Sequence, residues 1–190
     1  MIRITLSLVG IAALSACAAT PNDPTVTAFD VDRAFDEAQR IRNLPFTSTA
    51  NLPTGGVTYR GQLGADVNGD AQGSILGDMT MNVAFADSTI DGSVTNINLI
   101  DPDGQPNQRF DGSLMIDGVE SSGRLDAFAL GDIMAVNTDG VEVESQLLLT
   151  LDGDVYDDLG QGDAVFGSAQ GQASGEFDME VDGVFFGTVD

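Results

Sequence analysis

The stretch "LGADVNGDAQGSILGDMTMNVAF", residues 63–85, decides the fold. Its second half alternates: Ile75, Gly77, Met79, Met81, Val83 and Phe85 share one face, with Asp78, Thr80 and Asn82 on the other. A period of two marks a half-buried β-strand, because successive side chains point to opposite sides of a sheet. The first half reads two ways. Asp66, Asn68 and Asp70 stand at alternate positions, as the first oxygen ligands of a calcium loop do. Asn68-Gly69 also accepts the positive φ angles that a tight hairpin requires. An EF-hand loop begun at Asp66 needs Gly at its sixth position and Glu at its twelfth, where this chain has Ala71 and Gly77. "VTYRGQLGAD" precedes the pair and an alternating strand follows it, so the hairpin reading prevails and no metal site is expected.

The alternation recurs downstream. "RFDGSLMID" (109–117) places Phe110, Gly112, Leu114 and Ile116 together. "VEVESQLLLTL" (141–151) sets Val141, Val143, Leu147, Leu149 and Leu151 against Glu142, Glu144, Gln146 and Thr150. "ASGEFDMEV" (173–181) sets Ala173, Gly175, Phe177, Met179 and Val181 against Ser174, Glu176, Asp178 and Glu180. Further turns are expected at Asp103-Gly104, Asp117-Gly118, Asp139-Gly140 and Asp152-Gly153. In "TIDGSVTNINLI" (89–100) the phase breaks, with Ile90 and Val94 on one face and Ile97 and Leu99 on the other; a bulge near Thr95-Asn96 would restore it. Gly77, Gly92, Gly112 and Gly175 in the buried phase suit a tightly coiled sheet. The expectation is an all-β fold, a single antiparallel β-barrel of about eight strands over residues 55–190. Its outward face is dense in acids, and there is no Trp with only 6% aromatics, which argues against a membrane-spanning barrel.

Residues 1–17 read "MIRITLSLVGIAALSAC": Arg3, an apolar run of 13 residues, then small residues before a cysteine. The run is short for a membrane span and fits a secretory signal. Leu14-Ser15-Ala16-Cys17 resembles a bacterial lipobox, which implies removal of residues 1–16 and lipidation of Cys17. Cys17 is the sole cysteine, so no disulfide forms within the chain. By similarity to Gram-negative lipoproteins, Ala18 after the cysteine directs the protein to the outer membrane, lipid-anchored and facing either the cell surface or the periplasm. Residues 17–54 then comprise the lipidated N-terminus and a linker carrying one helix over about 30–43. "ATPNDPT" (19–25) is polar and Pro-containing, an extended tether. In "FDVDRAFDEAQRIRNLP" (29–45), Val31, Ala34, Phe35, Ala38 and Ile41 fall at helical spacing. Asp30 or Asp32 suits its start, Arg40 and Arg42 suit its C-terminal dipole, and Pro45 closes it. The stripe is expected to pack on the barrel, with docking of a partner as the alternative.

Thirty acids stand against seven basic residues, all arginine, with no His, for a net charge of −23. Such a surface repels phosphate backbones and excludes nucleic acid as a partner. Solubility or a saline habitat accounts for the acidity. Without His, and with its cysteine in the lipobox, the chain lacks the parts of the usual triads and zinc sites. Asp157-Asp158 could form a glycosidase dyad, but adjacent acids are expected by chance in so acidic a chain. No catalytic residue and no cofactor is assigned, and the protein is read as a non-enzyme. Haem ligation would fall to Tyr59, Tyr156 or a methionine. Tyr59 shares the inward phase of Val57 and Leu63, which gives it to the core.

"YRGQLGADVNGDAQGSILGDMTMNVAFADSTIDGSVTNI" (59–97) resembles the opening of the β-barrel domains of transferrin-binding protein B: a first strand, a hairpin, then a strand ending in an aromatic. "AVFGSAQGQASGEFDMEVDGVFFG" (164–187) resembles their closing pair, with an aromatic-Gly turn, Gly-x-Phe and a terminal Val-Phe-Gly element. The resemblance covers about residues 55–189 and implies an eight-stranded barrel on a lipid-anchored surface protein that captures host iron proteins, haem carriers or other ligands. The barrel of factor H-binding protein is similar in build. That family has two lobes, each with a handle domain, whereas this chain has one barrel and no handle. Its recognition loops find no match here, so no binding residue is carried over. The functional expectation is a monomeric outer-membrane lipoprotein that captures a protein or small ligand, iron- or haem-related, for uptake or surface interaction. The alternative is a structural or interaction lipoprotein of the envelope. A binding module exposes long or apolar loops at one end; "INLIDPDGQPNQRF" (97–110) is the first candidate and "YDDLGQGDAVFG" (156–167) the second.

Overall fold

A computed structural model describes residues 19–189. The expected signal sequence, residues 1–16, and Cys17 lie outside the described residues. One helix, α1 (Ala28–Arg42), precedes ten strands: β1 (Gly56–Gly69), β2 (Gly73–Ala84), β3 (Thr89–Ile100), β4 (Pro106–Arg109), β5 (Asp111–Gly112), β6 (Leu114–Ser121), β7 (Arg124–Val136), β8 (Glu142–Asp157), β9 (Asp163–Gly175) and β10 (Met179–Val189). All pairings are antiparallel, in the order β2-β1-β10-β9-β8-β7-β6-β3, and β2 also pairs β3. That last pairing closes the ring. With β4, β5 and β6 acting as one broken stave, the result is a closed eight-stranded barrel.

Closure follows from the alternation. One phase of each long strand points inward, and Leu63, Met79, Met81, Leu114, Leu147, Leu149 and Phe185 fill the interior with almost no exposure. Gly112 and Gly175, expected in the buried phase, are exposed instead, at the break after β5 and at the end of β9. The phase break in β3 is a bulge: Leu76 pairs Asn98 and Asp78 pairs Thr95, so Asn96 and Ile97 together oppose Gly77. Asn96 takes φ 53°, a conformation its short amide side chain tolerates. A Cβ at Gly77 would stand 2.8 Å from Val94 Cγ1, so the bulge needs a glycine opposite it.

The hairpin at Asn68-Gly69 forms as expected, and so do the turns at Asp103-Gly104 and Asp139-Gly140. Two expected turns do not. Asp117-Gly118 lies inside β6 and Asp152-Gly153 inside β8. Both glycines instead make room for a neighbour: an added Cβ would come within 2.4 Å of Ala127 Cβ at Gly118 and 2.7 Å of the Phe185 ring at Gly153. The β6–β7 turn falls at Ser122-Gly123, both at positive φ. "ASGEFDMEV" is not one strand either. Ala173 pairs Met179, so β9 and β10 meet there in a hairpin. The period survives because Phe177, in the turn, is drawn inward. Its backbone N donates to Ser145 Oγ at 2.9 Å, and that hydroxyl donates to Phe177 O at 2.7 Å. The Phe177 ring thereby meets Phe110, with centroids 6.3 Å apart, and plugs this mouth of the barrel.

Helix α1 starts at Thr27 rather than at Asp30 or Asp32. Thr27 is the N-cap, and Asp30 completes a capping box with it. Those hydrogen bonds to Thr27, more than the nearby Arg33, hold the Asp30 carboxyl below the usual range. Ala34, Ala38 and Ile41 bury against outward-facing barrel residues, namely Leu76, Ile100, Tyr156, Ala164 and Phe186. Phe35 was expected in this stripe and is instead 64% exposed. It lines the open groove between α1 and the barrel wall together with Val31, which packs part-buried against the wall.

The barrel has two unlike ends. Turns 69–73, 100–106, 136–142 and 175–179 form the hairpin end. Turns 84–89, 121–124 and 157–163 form the other, which residues 43–55 cross on their way from α1 to β1. This second one is the capped end.

Candidate functional site

The first candidate stretch, 97–110, does not form a loop. Ile97–Ile100 finish β3 and Pro106–Arg109 form β4, which leaves a tight turn at 101–105. Asp101 Oδ1 accepts from the backbone N of Asp103 at 3.1 Å and of Gln105 at 2.9 Å. Ile97, Leu99, Ile100 and Phe110 are all buried, so this stretch offers no apolar surface. Its polar groups hold the chain that precedes α1 instead: Arg109 N donates to Asn22 O, and Thr25 N donates to Asn98 Oδ1.

The second stretch, 156–167, narrows to the turn 158–162 between β8 and β9, and here the structure assembles a surface. Asp158 N donates to Gly162 O and Gln161 N donates to Asp158 O, closing the turn. Leu159 N donates to Asp157 Oδ1 at 3.0 Å. Leu159 is thereby fixed at φ 46°, left-handed, with its side chain 75% exposed. A β-turn ordinarily gives such a position to Gly or Asn, because a side chain there costs energy.

Three contacts from distant sequence immobilise this turn. Arg40 of α1 grips Asp158 with both arms, Nη1 to Oδ1 at 2.8 Å and Nη2 to Oδ2 at 3.0 Å. The same guanidinium binds Glu37, and the two carboxylates, Glu37 foremost, hold it more firmly protonated than a free arginine. Asp157 N donates to Pro45 O, and Thr47 Oγ1 donates to Asp163 Oδ1 at 3.0 Å. Asp158, at 5% exposure, is accordingly a buried carboxylate fully engaged in structure. Asp157 and Asp158 thus hold the turn, each through its own partner, and do not converge on a common point as a glycosidase pair would.

Phe46, on the segment that pins this turn, is 66% exposed, its ring 4.8 Å from Tyr156, which in turn meets Phe166 edge-on at 6.3 Å. Burial foremost, and Asp154 next, raise the Tyr156 phenol above its ordinary range, while Arg42 opposes them. Val189, at the end of β10, lies next to Gly162 and adds exposed apolar surface. Beneath the cap, Leu52 rests over Gly123, whose N donates to Glu120 Oε1 at 2.7 Å. Tyr59 is fully buried, as its inward phase predicts, and its hydroxyl has no hydrogen-bond partner among the described residues. Burial foremost, then Asp163 and Glu120, drive its phenol far up.

Concave features also occur elsewhere on the described surface. An apolar groove of about 290 Å³ runs between α1 and the barrel wall, lined by Val31, Phe35, Leu76, Ile100 and Phe186. A wider polar depression of about 510 Å³ opens at the hairpin end around Asn68, Gln172, Asp178 and Glu180. Asp66 and Asn68 lie on β1, and Asp70 Oδ2 accepts from Asp178 N at 2.9 Å. Among the described residues no three His, Cys, Asp or Glu side chains converge as a metal site would require, and no helix is long and apolar enough to cross a membrane.

Phe46 and Arg40 were not singled out as site residues. The signal that could have marked the turn is a leucine where "DDLGQG" otherwise spells turn formers. Comparison with family models, curated proteins and solved structures finds no match.

Proposed function

We propose that this chain is a lipid-anchored outer-membrane lipoprotein that captures a protein ligand through the capped end of its barrel. One observation carries the reading: Leu159, apolar and exposed, is held in a strained conformation by a turn that Arg40, Pro45 and Thr47 pin from outside. Strain of this kind costs on the order of 1–3 kcal/mol and persists only where the surroundings impose it. A turn that served only as a connection would relax to Gly or Asn. Rigid presentation of Leu159, with Phe46 exposed on the segment that pins its turn, lowers the ordering cost of binding, which favours capture of a preformed protein surface. The resemblance to the transferrin-binding protein B barrel supports a ligand that carries iron or haem, and the lipobox-like motif at Cys17 supports the anchor.

The test is capture from envelope and medium fractions by residues 18–190, wild type beside Leu159→Asp. A partner retained by the wild type and lost by Leu159→Asp, with Thr138→Asp at the hairpin end unaffected, supports the reading. A partner indifferent to Leu159→Asp, or no partner, returns the protein to the structural envelope role.

A further inference from the structure

The chain from Ala19 to α1 is bound to the barrel along its length. Ala19 N donates to Gly140 O at 2.8 Å, in the β7–β8 turn of the hairpin end. Arg109 N donates to Asn22 O at 3.0 Å, and Asn22 Nδ2 donates to Asp111 Oδ2 at 2.7 Å. Thr25 N donates to Asn98 Oδ1 at 2.8 Å, and two residues later Thr27 caps α1. Residues 19–27 are therefore a strap bound along the barrel, where composition suggests a free tether. Only Ala18 separates Ala19 from Cys17, and two residues of extended chain reach about 7 Å at most. With Cys17 acylated, on which this inference rests, the bilayer surface comes within that reach of the β7–β8 turn.

We propose that the strap stands the barrel end-on upon the bilayer, with the hairpin end facing lipid headgroups and the capped end pointing away. Tilted strands of this length, rising about 3.3 Å per residue, set the two ends on the order of 30 Å apart. The capped end is then the one presented to partners. The four turns of the hairpin end carry Asp70, Asp101, Asp103, Asp139, Glu176 and Asp178 and contain no arginine. Anionic lipid repels such a surface. A zwitterionic headgroup layer is the surface it fits, and the acyl chains alone hold it there.

The test uses the full-length acylated protein in phosphatidylcholine vesicles containing nickel-chelating lipid. Because the Cys17 thiol is blocked, a single new thiol at Thr138→Cys, in the β7–β8 turn, or Ala86→Cys, in the β2–β3 turn, takes a nitroxide label. Nickel headgroups are expected to shorten the relaxation of the Thr138 label and to leave the Ala86 label at its nickel-free value. An insertion of Gly-Ser repeats between Ala18 and Ala19 gives the anchor slack and is expected to erase that difference. Equal relaxation of the two labels in the otherwise unaltered protein overturns the proposal, and so does a difference that survives the insertion. N-terminal mass spectrometry separates the two failures. An unacylated Cys17 overturns the lipoprotein reading together with this inference, whereas an acylated Cys17 with equal labels overturns the end-on placement alone.

Discussion

The two ends of this barrel are built by different physics. At the hairpin end, two turns are satisfied from within, Asn137 Oδ1 accepting from Asp139 N and Val141 N and Asp101 doing the same in its own turn. The other two brace each other, Asp178 N donating to Asp70 Oδ2 and Asp70 N to Asp178 O, and Phe177 plugs the mouth from within a hairpin. At the capped end, closure comes from far along the chain. Arg40 reaches 118 positions to Asp158, Thr47 reaches 116 to Asp163, and Leu52 rests over Gly123. Bonds within turns and between neighbouring turns yield an acidic end, with the strap laid against it at Gly140. Long-range docking yields an end where apolar side chains are displayed because something else holds the backbone.

The largest expected effect bears on whether the helix belongs to the fold. Ile41 is fully buried between α1 and the barrel wall, and Ile41→Ala should cost about 3 kcal/mol, seen as a melting temperature lower by roughly 10 °C. An unchanged melting temperature would mean that α1 only rests on the barrel, and the contrast between the ends would collapse. Arg40→Ala comes next. It leaves the buried Asp158 carboxylate without its partner, and because Arg40 itself is part-exposed the loss should be about 2 kcal/mol. Hydrogen exchange at the Leu159 amide should accelerate while that at the hairpin end stays unchanged. Arg40→Lys should restore only part of the loss, since an ammonium cannot make the two-armed contact.

Tyr59 sharpens the picture beneath the cap. Its hydroxyl is buried without a partner among the described residues, so Tyr59→Phe should be neutral or stabilising by up to about 1 kcal/mol. Its phenol titrates far above the ordinary value in the folded chain, so the folded state keeps a proton that the unfolded state releases. That stabilisation is complete below the unfolded pKa of about 10 and declines as pH rises above it, by up to ~1.4 kcal/mol per pH unit. Urea unfolding between pH 8 and 11 should show this decline for the wild type and a shallower one for Tyr59→Phe. The smallest effect belongs to the hairpin end. Asp66→Ala with Asp70→Ala should cost about 1 kcal/mol, through the lost bond from Asp178 N. Millimolar calcium should leave the melting temperature of both proteins unmoved, and a calcium-dependent rise that the double variant abolishes would reinstate a metal loop there.

What could be read from sequence divides along the same line. The barrel was legible because a period of two needs no partner to be seen, and the bulge at Asn96 because it breaks that period. The turns at Asn68-Gly69, Asp103-Gly104 and Asp139-Gly140 were legible from local conformational preference. Asp117-Gly118 and Asp152-Gly153 carry the same letters for another reason, the close approach of Ala127 and Phe185. The strap escaped notice because "ATPNDPT" is extended and polar, which describes a tether and a docked strand equally well; Gly140 and Asn98, which decide between them, lie far away in sequence. The two candidate stretches changed places for a like reason. Strand pairing and the strap absorbed 97–110, whereas the short turn at Leu159 gained its rigidity from α1.

Residues 19–55 are part of the barrel rather than a leash upon it. Hydrogen–deuterium exchange of the whole chain, followed peptide by peptide, tests this most directly. The expected result is protection of α1 comparable to that of β9 and β10, with slowed exchange also at Thr25 and Thr47, whose amides donate to Asn98 Oδ1 and Val155 O. Exchange of the entire 19–47 segment at unprotected rates, while the strands stay protected, would contradict it.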